Sequence, residues 1–288
     1  MNQVFKYDVA VAWRIYPGVS KTPLIFPDDK LQLARTCLLS FKTCVGDLRV
    51  RYYFILDGCP DTYENMIREI FPAADISIIH TPGIGNLSTF RKQVDVLLQQ
   101  QDAPLVYFAE DDYLYLPGQF YKMIRLLHER RDVDFVTPYL HPDSYNHPIH
   151  RHPKQLFCAA DHQWMSESST CLTFLTRQKT LAAAKDELLT YSRGNNDCAM
   201  WLTLTKTHVL NPLAYLRYAF SHKESFGILK MALKYSSRYF LRRRFVLAMP
   251  VPAIGTHLEK DLVSPGTDWL QVSNALQDSN SSLLPGIN

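Results

Sequence analysis

Four short apolar runs, each followed by a stretch of helical periodicity, constrain this chain more than any other feature. Asp8–Trp13, Arg51–Leu56, Ile76–Ile79 and Leu105–Ala109 are too short for helices and rich in Val, Ile, Leu, Tyr and Phe, so they read as buried strands. Asp28-Asp29 opens a helix that carries Leu31, Leu33, Ala34, Leu38 and Phe41 on or near one face. Asp61 is placed as the cap of a helix holding Met66, Ile67 and Ile70, and Ser88 as the cap of one running to Gln101. Pro117 is read as opening a fourth helix, through Leu127, and Phe135-Val136 as starting a fifth strand. Repetition of this kind predicts an α/β, Rossmann-like fold, a mainly parallel sheet flanked by helices on both faces. Ligands of such sheets bind beyond the carboxyl ends of the strands, so the residues that close each run matter most.

After Pro138 the pattern loosens. Residues 139–155 hold His141, His147, His150 and His152 and predict a long loop or lid, mobile over a ligand together with Asp161, His162 and Trp164. Trp164 is balanced between stacking on a ligand ring and core packing, whereas Trp269 reads as packing. Thr170–Leu175 reads as a strand, Asn196–Thr205 as a helix, 225–245 as a basic helix and the end from Gln277 as a frayed tail. The expected organisation is a main domain over 1–212 with a C-terminal helical and loop extension, 213–288, packed on it. With 47% hydrophobic residues in 288, the chain can bury one large core.

The net charge of +3 is too small for wholesale nucleic-acid binding. Six cysteines without a CxxC pair predict reduced core thiols. The histidine spacings of six, three and two residues suit no common zinc motif. Met1-Asn2-Gln3 runs almost directly into Val4–Ile15, and no apolar run approaches the about 20 residues of a membrane span, which predicts a cytoplasmic protein. Lys230, Lys234, Arg238 and Arg242 recur every four residues, with Phe226, Leu229, Leu233 and Phe240 on a different face. That stripe makes residues 225–245 a candidate peripheral contact with an anionic membrane, inner face included, against the plainer reading of a helix packed on the domain.

The fourth run closes on Glu110-Asp111-Asp112. Three adjacent acids repel one another and resist burial, so at a ligand-binding edge they point to a hard cation held by carboxylate oxygens, with phosphate and water completing its shell. A solvated or capping turn is the plainer alternative. Strand–helix repeats leading to an acidic, DxD-like triplet resemble the GT-A glycosyltransferases, especially the broad family-2-like group of nucleotide-diphospho-sugar transferases. The resemblance covers about residues 4–210 in layout and departs from strict Asp-x-Asp in having Glu110 first.

The resemblance implies a glycosyltransferase, hexosyltransferase-like, moving a sugar from a nucleotide-sugar donor to a glycan or lipid-linked acceptor with Mn2+ or Mg2+. Surface polysaccharide or glycolipid synthesis would be a fitting context. Asp112 would be the main metal ligand, and Glu110 would face the ribose or a metal-bound water, while the place of Asp111 near the donor stays open. Arg14, at the end of the first strand, would meet phosphate or base, with a plain ion pair as the alternative. Asp57 would accept from a base N–H or a ribose hydroxyl, or simply form the Asp57-Gly58 turn. Arg91, in the stretch from Gly83 that matches the loop before the family's third helix, would reach the donor. Asp197, at a helix start after Gly194-Asn195-Asn196, matches the catalytic base of inverting members but lacks their preceding Glu. His257 in Gly255-Thr256-His257 matches the C-terminal histidine that some members offer to the metal or diphosphate. Two rival readings remain: sugar-phosphate nucleotidyl transfer, and a non-catalytic glycan- or nucleotide-binding protein.

Overall fold

The structure, a computed structural model, describes residues 5–19 and 22–281. Its elements run β1 (Val9–Ile15), α1 (Lys30–Val45), β2 (Val50–Asp57), α2 (Asp61–Ile70), β3 (Ile76–Thr81), α3 (Asn86–Gln99) and β4 (Leu105–Glu110). Then come β5 (Tyr113–Tyr115), α4 (Phe120–Glu129), β6 (Phe135–Val136), α5 (Asp143–Asn146), β7 (Leu156–Ala159), β8 (His162–Glu167), β9 (Phe174–Arg177), α6 (Gln178–Leu188) and α7 (Asp197–Thr205). The chain continues through α8 (Pro212–Ser221), α9 (Lys223–Ser236), β10 (Leu247–Val251), β11 (Gly255–His257) and α10 (Trp269–Ser281).

The principal sheet has the order β3-β2-β1-β4-β9-β6-β10-β8-β7. Strands β1 to β4 are mutually parallel, β9 and β8 run against them, and β10 is parallel to β6. The fold is therefore the expected α/β architecture. Side-chain alternation distributes the core to two faces. Val9, Val11, Trp13 and Ile15 of β1 join Tyr107 of β4 and Phe41 of α1 on one face, under α1, α2 and α4. Ala10 and Ala12 lie on the other with Val106 and Phe108, under α3, α6 and α7. A third cluster joins α7, α8 and α9 through Leu202, Tyr218 and Leu229. Strand β10, from beyond residue 212, lies inside the main sheet between β6 and β8.

Three expected helix starts move. Pro60 takes the cap position of α2, so Asp61 is its first helical residue, where the helix dipole still favours an acid. Gly85 caps α3 at φ 79°, a left-handed conformation that suits glycine, which leaves Ser88 inside the first turn. A left-handed Gly118, φ 66°, turns the chain after Pro117, and α4 begins only at Phe120. Helix α9 ends at Ser236, so the basic stripe loses Arg238 and Arg242 from its helix. The frayed tail expected from Gln277 is helical as far as Ser281, and its remainder lies outside the described residues.

The segment 139–155 is anchored. Glu167, at the end of β8, is buried and accepts from His152 Nε2 at 2.8 Å, from the Ser168 amide at 2.6 Å and from Lys154 Nζ, while His150 lies 3.5 Å away. Burial works against its charge, but these four partners outweigh burial and hold the carboxyl well below the usual range. A carboxylate so placed ties the segment down, contrary to the expected mobile lid. Asp161 pairs with Arg125 at 2.7 Å in the β7–β8 turn, and His162 meets the Pro252 carbonyl at 2.9 Å. Trp164 is fully buried with its indole N–H on the Ala159 carbonyl, so it packs and does not stack on ligand; Trp269 is buried too. The six cysteines are free.

Candidate active site

The carboxyl ends of β1 and β4 build the site through their register. Arg14 pairs with Glu110 in the parallel ladder, and alternation sends both side chains to the same face while Trp13 enters the core on the other. The Arg14 guanidinium donates to Glu110 Oε1, to Asn86 Oδ1 and, at 3.2 Å, to the Asn86 carbonyl. Thr173 donates to the second Glu110 oxygen at 3.0 Å. Gln93 of α3 locks the two strand ends together, donating to the Ala12 carbonyl at 2.8 Å and the Ala109 carbonyl at 3.0 Å.

Asp111 turns to the opposite side. Lys30 Nζ donates to one of its oxygens at 2.8 Å and the Tyr16 amide to the other at 3.0 Å. Lys30 is the first residue of α1, so the helix that begins after Asp29 delivers a buried ammonium to the triplet. Burial works to lower that ammonium's pKa, but Asp111 and Asp112 outweigh it and hold it above its ordinary range.

Asp112 is positioned by a second, two-stranded sheet. Strand β11 pairs antiparallel with β5 and sets His257 opposite Tyr113, the residue after Asp112. The Leu258 amide donates to the Asp112 carbonyl at 2.8 Å, and His257 Nε2 lies 3.1 Å from Asp112 Oδ2. Burial opposes the Asp112 charge, yet His257, Lys30 and Arg14 hold the carboxyl well below its usual range. In turn His257 is raised, burial being overcome by Asp112 and then Glu110. The other oxygen, Asp112 Oδ1, is buried with no hydrogen-bond partner among the described residues.

A cleft of about 450 Å3 opens over these residues, lined by Arg14, Tyr16, Asp57, Gly85, Asn86 and the three acids. Asp57 closes β2 and is buried. Its carboxylate accepts from Thr81 Oγ1 and the Ile84 amide, each at 2.7 Å, and from the Gly85 amide at 2.8 Å. In this structure both oxygens shape the loop before α3, and the Ile84 and Gly85 amides face Asp57.

Asp197 is the first residue of α7, behind the Asn196 cap, and accepts from the Cys198 amide at 2.7 Å. The Cys171 thiol is pushed well up by burial, then by Asp197, Glu110 and Asp112. Tyr191, which accepts from Asn86 Nδ2 at 2.9 Å, is pushed up to about 12, chiefly by burial. Arg91, by contrast, is exposed on α3 and does not line the cleft. The structure thus gathers Arg14, Asp57, Glu110, Asp111 and Asp112 at one opening, with His257 in contact with Asp112; Asp197, at the start of α7, does not line the cleft. Lys30 and Gln93 belong to the same assembly without having been signalled by sequence.

Among the described residues no group of three or more His, Cys, Asp or Glu side chains is arranged to hold a metal ion. The arrangement nearest to one is Asp112 with His257: a buried carboxylate oxygen without a hydrogen-bond partner among the described residues, on a carboxylate that also touches an imidazole and borders the cleft. That is the chemistry of a substrate-completed cation site.

Fold and site define an α/β protein with an acid-lined cleft at the carboxyl edge of its sheet. No protein-family model matches the chain, and no curated protein matches it in sequence. Three solved structures are similar along nearly its whole length, each at 10% identity. A galactosyltransferase, LgtC, solved with donor and acceptor sugar analogues, has a TM-score of 0.48 and 97% of each chain covered. A 4-diphosphocytidyl-2C-methyl-D-erythritol synthase from Anaerococcus prevotii has a TM-score of 0.41, with 94% of this chain and 97% of that one covered. A CMP-2-keto-3-deoxy-manno-octonic acid synthetase in complex with CTP also scores 0.41, with 95% and 99% covered. At these scores the likenesses carry no functional weight, and the reading below rests on the chain's own residues.

Proposed function

We propose that this protein is a glycosyltransferase that takes a sugar from a nucleoside-diphosphate donor and passes it to a hydroxyl of a glycan or lipid-linked acceptor. The observation that carries the reading is the Asp112–His257 pair, whose second carboxylate oxygen has no hydrogen-bond partner among the described residues, at the strand edge where an α/β sheet takes its ligand. Mn2+ or Mg2+ bound there would neutralise a diphosphate and stabilise it as it leaves. The residues of the chain do the rest. Arg14 and Lys30 pair with Glu110 and Asp111 and offset the repulsion among the acids. Asp57 fixes the loop that forms the wall beside Gly85. Asp197, at the start of α7, takes the acceptor's proton, which makes the transfer inverting.

Nucleotidyl transfer is disfavoured by the first loop. That chemistry calls for a basic, glycine-rich cradle after β1, whereas here Arg14 is spent on Glu110 and Asn86, and the Tyr16 amide on Asp111. The test is a screen of nucleotide sugars with Mn2+, reading melting temperature and the product released. Metal-dependent stabilisation and release of a nucleoside diphosphate support the reading. Pyrophosphate formed from a nucleoside triphosphate and a sugar phosphate would replace it with nucleotidyl transfer. Asp197→Asn should abolish turnover and leave donor binding intact; full turnover in that variant removes Asp197 as the base.

A further inference from the structure

We propose that helices α8 and α9 form a docking surface for an anionic phospholipid bilayer, with an apolar ridge on α8 as the part that enters it. Ala214 and Tyr218 of α8 face inward and complete the third core cluster. On the outer side, Leu213, Leu216 and Phe220 are 73%, 58% and 87% exposed. Spacings of three and four residues put them in one stripe along the helix. Leu210, 53% exposed, leads into the same ridge. A helix that already satisfies its inner face has no structural need for Phe and Leu outside, and clustered apolar exposure of this kind marks an interaction surface.

Charge identifies the partner. Residues 206–250 contain nine Lys and Arg against the single acid Glu224, a surplus of eight in a chain whose total surplus is three. The remainder of the molecule is therefore net acidic, and the basic charge is concentrated in the segment that carries the apolar ridge. Arg242 and Arg243 are engaged by Asp186 and Asp134 at 3.0 and 2.6 Å, but Arg217 on α8 and Lys230 and Lys234 on α9 are exposed. Leu233, which the spacing sets on a different face from the basic stripe, is 51% exposed and neighbours Lys230 and Lys234. Apolar side chains interleaved with ammonium groups are what a headgroup layer accommodates: the apolar groups reach acyl chains while the cations meet lipid phosphates. Among the described residues no helix is long and apolar enough to cross a membrane, so the contact is peripheral.

The same helix is tied to the histidine-rich segment. Tyr218 Oη donates to the Pro148 carbonyl at 3.0 Å, and His208 Nε2 lies 3.1 Å from the Ile149 carbonyl. Docking does not depend on sugar transfer, because vesicle binding needs no turnover, so the two readings can fail separately.

The experiment is co-sedimentation of the full chain with vesicles of phosphatidylcholine alone or mixed with phosphatidylglycerol, at low and high salt. Binding to the mixed vesicles only, weakened by salt, is expected. L216S/F220S should lose more than about tenfold in binding, since each side chain removes apolar area from water, while L156S, an exposed apolar site on β7, should change nothing. Emission of F220W should shift to the blue when vesicles bind, a readout that needs no loss of stability. Failure to bind anionic vesicles, or full binding by L216S/F220S, overturns the proposal. So does a lipid-free dimer that L216S/F220S dissociates in a chain that ignores vesicles, which would make a second copy the occupant.

Discussion

The two walls of the cleft are built from neighbouring acids, yet they answer those acids differently. On one wall, Glu110 has Arg14 and Thr173, and Asp111 has Lys30 and the Tyr16 amide. Their charged partners are permanent. On the other, Asp112 has a titratable histidine on one oxygen and, among the described residues, no hydrogen-bond partner on the other. A run of like residues is therefore not a run of like roles. Saturated acids organise strand ends and helix starts, and the acid left incomplete is the one where an incoming charge gains most.

The contrast is open to direct attack. Asp112→Asn keeps shape and removes charge, and is expected to lower turnover about a thousandfold, the scale seen when a key electrostatic contact to a transition state is deleted. Kinetics within tenfold of the parent would erase the distinction between the walls. Lys30→Met should do the reverse. It leaves Asp111 buried and unpaired, which costs about 3–5 kcal/mol, read as a drop of roughly 10 °C, while turnover per folded molecule stays within about tenfold. A Lys30→Met protein that melts normally but is inactive would move the catalytic role to Asp111.

Acid should expose the difference next. His141, on the His257 side, is held neutral by burial, with His150 and His257 adding to the effect, and its pKa is lowered to about 4. An unfolded histidine titrates near 6.5. The unfolded chain thus takes up a proton that the folded chain refuses, so stability falls as pH falls from about 6.5 to 4, by at most about 3 kcal/mol. Chemical denaturation across that window should show a smaller loss in His141→Asn. The smallest effect belongs to Arg91→Ala. The side chain is exposed and away from the cleft lining, so nucleoside-diphosphate affinity should change less than about threefold; a tenfold loss would extend the site along α3.

How much of this was written in the sequence varies with length and burial. The strands β1 to β4 were legible because each is a continuous apolar run, and the triplet because like charges at the end of such a run demand a reason. Strands β5 and β11 have three residues each and no periodicity, so nothing announced that Tyr113 and His257 would be partners. Lys30 looked like any helix-opening cation, since burial of its ammonium is decided by Asp111, far along the chain. The hairpin of β7 and β8 is an edge element whose Leu156 is 70% exposed, which blurs alternation. Other signals were present and unread. Leu181, Ala184 and Leu188 repeat at helical spacing in α6, and Asn211-Pro212 is a cap followed by a first-turn proline at the start of α8. Glu167 carried no mark at all, because its importance comes from the cations folded around it.

The pairing of β11 with β5 carries one more consequence. Since neighbouring residues on a strand face opposite ways, a slip of one position would turn the His257 ring away from Asp112. The alignment of a three-residue ribbon therefore decides whether a charge late in the chain meets one near its middle. A polypeptide truncated ahead of Gly255 could still assemble its first four strands, but it would present Asp112 without its His257 partner.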